Sequence, residues 1–139
     1  MLTSLTAAST VAACGAVRRR LNRPDRKDRT LARGWVRLTA LWNRGAAFAL
    51  PAPKQVLYGG AAASLLTALR LRKRSPIASG LILGGGLSNL AERLLRDKVY
   101  DYVQFPKAPG PVKRYVYNLA DFAVFLGILT MLFRHSRKK

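Results

Sequence analysis

Apolar stretches and basic clusters alternate along this chain, and this alternation limits its fold more than any other feature. The apolar stretches lie at about residues 1–17, 51–70, 76–93 and 115–133, and most Lys and Arg residues lie in the connections between them. Half of the residues are hydrophobic, yet the formal net charge is +19, which suits neither an ordinary soluble core nor a disordered tail. We therefore predict one integral membrane domain, residues 1–139, with four spans at those stretches.

The uninterrupted apolar runs inside these spans are mostly short. They lie at 1–17, about 56–69, 77–91 and 115–133, and only the last approaches the roughly 20 residues that a helix needs to cross the hydrocarbon layer. At the ends of the shorter stretches we expect arginine side chains to extend toward the lipid headgroups and the bilayer to thin locally.

The high positive charge raises the alternative of a nucleic-acid-binding protein. The sequence pI is about 11.5, but the 25 Lys and Arg residues are spread over every connection. A nucleic-acid binder would gather them on one face of a recognisable module. Contacts between basic loops and anionic lipid headgroups explain the same residues. We therefore expect membrane lipids, and no nucleic acid, as partners.

Two aspartates, Asp101 and Asp121, lie at the edges of apolar stretches. An ionised carboxylate at membrane depth costs roughly 2.5 to 3.5 kcal/mol, so it is retained where a partner, water or a reaction requires it. Two such carboxylates predict an acid/base pair that shares one proton. A structural alternative also stands, in which the aspartates neutralise Arg93 and Arg114.

Polar residues near these aspartates recur at helical spacing. Four of them share one face of the predicted helix 76–93, namely Gly85, Asn89, Glu92 and Arg93. Glu92 and Arg93 are adjacent, so they do not face each other, and we expect each to pair elsewhere in the bundle. Asn118 and Asp121 are three residues apart and share a face of the last helix.

Residues 35–42 and 99–105 are rich in β-branched and aromatic residues, and we predict short strands there. The predicted fold class is an all-α membrane protein, a four-helix transmembrane bundle with a small extracytoplasmic β-cradle.

Cys14 is the only cysteine, which excludes an intramolecular disulfide. The sequence Val11-Ala12-Ala13-Cys14 fits a lipoprotein processing site, but the basic segment that opens a signal peptide is missing. We therefore interpret Cys14 as a small residue in a closely packed helix. The only histidine, His135, lies among terminal cations, so we expect no metal and no cofactor.

Four motifs resemble those of a known family. Their sequences are NRGAAF at 43–48, GGGLSNLAER at 84–93, VYDY at 99–102 and NLAD at 118–121. In this order they resemble signal peptidase II, the bacterial lipoprotein signal peptidase family of membrane aspartic proteases. The resemblance covers roughly residues 35–133.

The resemblance implies an aspartic endopeptidase whose catalytic dyad is Asp101 and Asp121. The residues implied to bind substrate or support the dyad are Asn43, Gly85, Asn89, Arg93 and Asn118. The implied substrate is a prolipoprotein whose cysteine bears a diacylglyceryl group, and the bond before that cysteine is cut. We expect a monomer. Two alternatives remain, a catalytically degenerate member that binds lipidated signal peptides and a structural membrane-assembly protein.

The chain departs from the family pattern at three places. Glu92, to which we assign a structural role, stands where the family usually has aspartate, and Tyr102 stands where phenylalanine is more common. The family's first helix commonly carries an aspartate and a lysine, and here Arg18 to Arg20 only loosely replace the lysine.

The resemblance also implies a multi-pass protein of the bacterial cytoplasmic membrane, with both termini in the cytoplasm and the site on the extracytoplasmic face. The connections 18–54 and 93–114 would then lie outside with seventeen Lys and Arg residues, against eight inside. The positive-inside rule favours the opposite orientation. We retain the family orientation because the site must face exported substrates.

Overall fold

The computed structural model describes residues 1–45 and 52–136. Its helices are α1 (Leu2–Leu21), α2 (Lys54–Leu71), α3 (Pro76–Arg96) and α4 (Leu119–Ser136). Its strands are β1 (Arg29–Leu31), β2 (Val36–Asn43), β3 (Val99–Gln104) and β4 (Val116–Tyr117).

Helix α3 is the centre of the bundle, because three successive glycines let three other helices approach it. A Cβ at Gly84 would lie 2.5 Å from Thr10 Cβ of α1, and one at Gly85 would lie 2.6 Å from the Ala120 carbonyl oxygen of α4. A Cβ at Gly86 would lie 3.0 Å from a leucine side chain of α2. Each glycine thus faces a different helix. A larger residue at Gly84 or Gly85 would force helices apart, whereas at Gly86 the leucine side chain would have to shift.

The strands form one antiparallel sheet in the order β1-β2-β3-β4. In the central pair, Leu41 lies opposite Asp101 and Asn43 lies opposite Val99. The register shifts between Leu38 and Leu41, as at a β-bulge. The sheet lies where α3 ends and α4 begins, so it places β3 beside the ends of both helices.

The sheet corrects the all-α part of the predicted fold class. The predicted strands at 35–42 and 99–105 are confirmed as β2 and β3, but β1 and β4 were not predicted. These two strands have three and two residues, too few for a recognisable alternation of apolar and polar side chains. The fold is therefore a four-helix bundle joined to a four-stranded sheet.

Several helix ends differ from the predicted spans, since α2 begins at Lys54 instead of residue 51 and α3 ends at Arg96 instead of residue 93. Two further differences have a local cause. Helix α1 continues through Arg18, Arg19 and Arg20, because arginine is a good helix former. Helix α4 begins at Leu119 instead of residue 115, because Val116 and Tyr117 pair with β3. Across residues 1–45 and 52–136, none of the helices combines the length and apolar character of a membrane span.

Candidate active site

Asp101 is held by β3 and is only 3% exposed. Its neighbour on the same face of the sheet is Asn43 of β2, which lies opposite Val99, two residues from Asp101. The Asn43 Nδ2 group donates a hydrogen bond of 3.1 Å to Asp101 Oδ2. The predicted support residue Asn43 therefore contacts the predicted catalytic carboxylate directly.

Asp121 lies in the first turn of α4, and the NLAD motif forms that helix start. The backbone N–H of Asn118 donates to Asp121 Oδ2 at 3.0 Å. The backbone N–H of Asp121 donates in return to Asn118 Oδ1, also at 3.0 Å. This reciprocal pair is a capping box, and it fixes the orientation of both side chains.

Two asparagine amides join Asp101 to Asp121. The Asn118 Nδ2 group donates to Asp101 Oδ1 at 2.8 Å and to Asn89 Oδ1 at 3.1 Å. The Asn89 Nδ2 group donates to Asp121 Oδ1 at 3.0 Å. The structure thus brings together four residues that the sequence places on α3, β3 and the start of α4.

Both N–H donors of the Asn118 amide are engaged in this network. This amide has two N–H donors, which bind Asp101 and Asn89, and its oxygen accepts the backbone N–H of Asp121. No donor of this side chain is left for a substrate backbone. These hydrogen bonds are compatible with support of the carboxylates, one of the two roles expected for Asn118.

Burial and a second carboxylate raise the pKa of Asp101 to about 7. Removal of the carboxyl group from water has the largest effect, and the negative charge of Asp121 adds to it. The amides of Asn118 and Asn43 and the charge of Arg93 act in the opposite direction without cancelling it. A buried carboxyl group that titrates near neutral pH can exchange a proton during a reaction.

The contacts do not fit the structural alternative. Among residues 1–45 and 52–136, no ion pair involves Asp101 or Asp121. Arg93 instead donates to the carbonyl oxygens of Gly45 at 3.0 Å and Asn89 at 3.5 Å. Hydrogen bonds from amides and a backbone N–H group therefore hold the carboxylates of Asp101 and Asp121, and Arg93 acts on Asp101 through its charge alone.

Glu92 links three elements at the edge of the site. Its carboxylate accepts a hydrogen bond from the Arg18 side chain of α1 and another, 3.0 Å long, from the Tyr100 backbone N–H of β3. This confirms that Glu92 and Arg93 pair with separate partners. It also gives Arg18 a definite role, which the sequence indicated only loosely.

Sequence reasoning missed the contact made by Tyr102. Its hydroxyl oxygen accepts the backbone N–H of Leu119 at 2.9 Å, which joins β3 to the first turn of α4. Burial raises the pKa of Tyr102 to about 12. The only available signal was a hydroxyl at a position where the family more often has phenylalanine.

Other predicted features are placed as follows. Cys14 is buried in α1, as expected for a closely packed helix. Within the described parts of the chain, no group of three or more His, Cys, Asp or Glu residues could hold a metal ion. Residues 46–48 of the NRGAAF motif and the side chain of His135 lie outside what the structure describes.

The site lies within a segment of the chain that matches a known protein family. A family model described as signal peptidase (SPase) II matches residues 10–137. The chain belongs to the signal peptidase II family. A lipoprotein signal peptidase of Syntrophomonas wolfei is 36% identical over 114 residues, covering 77% of this chain and 72% of that protein. A lipoprotein signal peptidase of Azoarcus sp. is 32% identical over 115 residues, covering 75% of this chain and 64% of that protein.

Two solved structures, each described as a bacterial membrane enzyme, share the fold of this signal peptidase II family member. One has a TM-score of 0.75 at 18% identity and covers 99% of this chain and 91% of its own. The other has a TM-score of 0.73 at 16% identity and covers 94% of this chain and 90% of its own. At such low identities these likenesses establish the fold alone.

Proposed function

We propose that this family member is a membrane aspartic endopeptidase that removes the signal peptide from diacylglyceryl-modified prolipoproteins. It cuts the bond before the lipidated cysteine. The observation that carries the proposal is the network that joins Asp101 to Asp121 through the amides of Asn118 and Asn89. Membership of the family supplies the substrate class.

The chemistry follows from two nearby carboxyl groups in a buried setting. Because two negative charges repel at short range, the pair holds one proton in common and titrates as a unit. The ionised member takes a proton from water as the water attacks the scissile carbonyl carbon. The protonated member then donates its proton to the departing amine. Either aspartate can take either role, and Asn43, Asn89 and Asn118 keep both carboxylates in position.

The surface of the bundle supports a location in the membrane. Large apolar side chains point away from the core on α2 and α4, and four of them, Leu66, Phe125, Leu126 and Phe133, are 55% to 68% exposed. Monomeric soluble proteins rarely expose apolar patches of this kind. At the sheet end, the Lys98 ammonium lies 4.6 Å from the centre of the partly exposed Trp42 ring, and both residue types are common at a membrane–water interface.

A cleavage assay tests the proposal. The detergent-purified chain is incubated with a diacylglyceryl-modified prolipoprotein and, as a control, with the same precursor lacking the lipid. We expect release of the signal peptide, detected by mass spectrometry, from the lipidated precursor only. Binding without release would instead identify a degenerate family member. Neither binding nor release would favour a structural role.

The raised pKa of Asp101 predicts a specific response to mutation of its partner. In Asp121→Asn the negative charge that helps raise the pKa of Asp101 is gone, so this pKa should fall below about 7. The carbon-13 chemical shift of the Asp101 carboxyl group, followed against pH, measures it. Asp97→Asn, which changes an exposed carboxylate, should leave the titration unchanged. An equal pKa in wild type and Asp121→Asn would show that the two carboxyl groups do not interact.

The proposed orientation predicts which loops are accessible from outside the cell. In a Cys14→Ala background, Lys113→Cys beside the sheet should react with a membrane-impermeant thiol reagent on intact cells. Lys73→Cys, in the turn between α2 and α3, should react only after the cells are opened. Each variant removes one exposed lysine, so their effects on charge match. The reverse pattern would mean that the basic connections determine the orientation and that the site faces the cytoplasm.

A further inference from the structure

A groove lies at the end of the bundle opposite the sheet. Helices α1 and α2 both pack against α3, and the space between them forms an open cavity of about 930 Å³. Its lining includes Leu65 and Leu69 of α2 and Leu83 and Leu87 of α3, and its end is formed by Arg72 and Lys73. On the α1 side the lining includes Thr3 and Ser4, so the groove is mostly apolar along its length and cationic at one end.

Carboxylate side chains are absent from this end of the molecule. The chain has six acidic residues, and all belong to the sheet end: Asp25, Asp28, Glu92, Asp97, Asp101 and Asp121. The opposite end carries the basic residues Arg70, Arg72, Lys73, Arg74 and Arg134. Within residues 1–45 and 52–136, the side chains of Arg72 and Lys73 make neither an ion pair nor a hydrogen bond. Two exposed cations without partners thus border an apolar groove.

We propose that this groove binds an anionic phospholipid, with its phosphate group at Arg72 and Lys73 and its acyl chains along the leucines. The arrangement complements such a lipid, since a guanidinium and an ammonium bind phosphate oxygens and the leucines bind hydrocarbon. The volume of the groove, about 930 Å³, is in the range of sites that enclose small ligands. A zwitterionic lipid would leave the positive charge of this end without compensation.

This site is separate from the one that carries the proposed cleavage. Asp101 and Asp121 lie at the sheet end, where α4 begins, whereas Arg72 and Lys73 precede α3 at its other end. A substrate bound here could not present its scissile bond to the dyad. The inference therefore holds or fails independently of the proposed function.

Lipid retention in native mass spectrometry tests the proposal. The purified full chain in neutral detergent is titrated with dioleoylphosphatidylglycerol or dioleoylphosphatidylcholine, and bound lipid is counted. We expect one phosphatidylglycerol to be retained in preference to phosphatidylcholine. The double variant Arg72→Gln/Lys73→Gln should bind it about thirtyfold more weakly, at roughly fivefold per cation.

Two matched controls separate a built site from general attraction. Arg19→Gln/Arg20→Gln removes the same charge from exposed positions at the sheet end of α1 and should retain wild-type binding. Leu69→Trp should obstruct the groove, whereas Leu66→Trp, at an exposed position of α2 outside the lining, should not. Equal retention of the two lipids, or equal losses in the two double variants, would overturn the proposal. If a neutral apolar peptide helix displaced phosphatidylglycerol and excess lipid did not, the groove would be a site for a helix, and this result would also overturn the proposal.

Discussion

Replacing Asp101 or Asp121 by asparagine is expected to abolish signal peptide release, with a loss of about 10²-fold to 10⁴-fold or more. An amide has nearly the shape of the carboxyl group and can keep a place in the network, but it cannot take a proton from water or return one to the amine. The rate of release from a diacylglyceryl-modified prolipoprotein under single-turnover conditions measures the effect. Asp97→Asn is the control, because it changes an exposed carboxylate paired with Lys54 and should retain activity.

Thermal stability distinguishes a catalytic aspartate from a structural one. The pKa of Asp101 is about 7 in the fold and 3.8 in the unfolded chain, so the folded state holds an extra proton between these values. Its contribution to stability therefore falls as the pH rises from about 4 to about 7. Above that range Asp101→Asn removes a costly buried charge and should unfold no more easily than wild type. More than a few per cent of wild-type activity in either variant would contradict the dyad.

The polar site could be predicted from the sequence because each of its motifs has a local cause. Asn118 and Asp121 are spaced for a capping box, which forms whenever a helix begins at that point. Gly85 and Asn89 lie one turn apart on a helix, so the residue that allows α4 to approach also brings Asn89 to Asp121. Alternation in β3 then leaves Asp101 on the face that meets Asn43. The spacings within each motif are visible in a single chain, whereas Asn43, which is 58 residues from Asp101, was assigned to the site only through the family resemblance.

The missed features depend on contacts between distant segments. Arg18 and Glu92 are 74 residues apart, and nothing in either neighbourhood specifies the other. The same holds for the Tyr102 hydroxyl. It can accept the hydrogen bond from Leu119 only after the first turn of α4 lies beside β3. Strands β1 and β4 exist because β2 and β3 offer free edges for pairing, so their formation follows the tertiary fold. Local sequence patterns could not supply these pairings.

The second large effect is expected at Glu92. Glu92→Ala removes the carboxylate that binds both the Arg18 side chain and the Tyr100 backbone N–H, so a partly buried cation and a buried donor lose their acceptor. We expect the variant to lose on the order of 3 kcal/mol of unfolding free energy. Because Tyr100 adjoins Asp101, activity should fall as well. Thermal unfolding in detergent, together with the cleavage rate, measures both changes.

A graded series shows whether the ion pair or the backbone contact matters more. Glu92→Gln keeps an oxygen for the Tyr100 N–H but loses the charge that attracts Arg18, so its stability should lie between those of wild type and Glu92→Ala. Arg18→Ala leaves Glu92 without its cation and should also destabilise the fold. If the two side chains stabilise the fold as a pair, the double variant Arg18→Ala/Glu92→Ala loses less than the two single losses added together. Strict additivity would mean that each side chain acts alone. A Glu92→Ala variant as stable as wild type would show that Glu92 is only a solvated charge at the end of α3. The attachment of α1 to the sheet would then rest on other contacts, such as the 3.5 Å hydrogen bond from the Tyr100 hydroxyl to the Leu21 carbonyl oxygen.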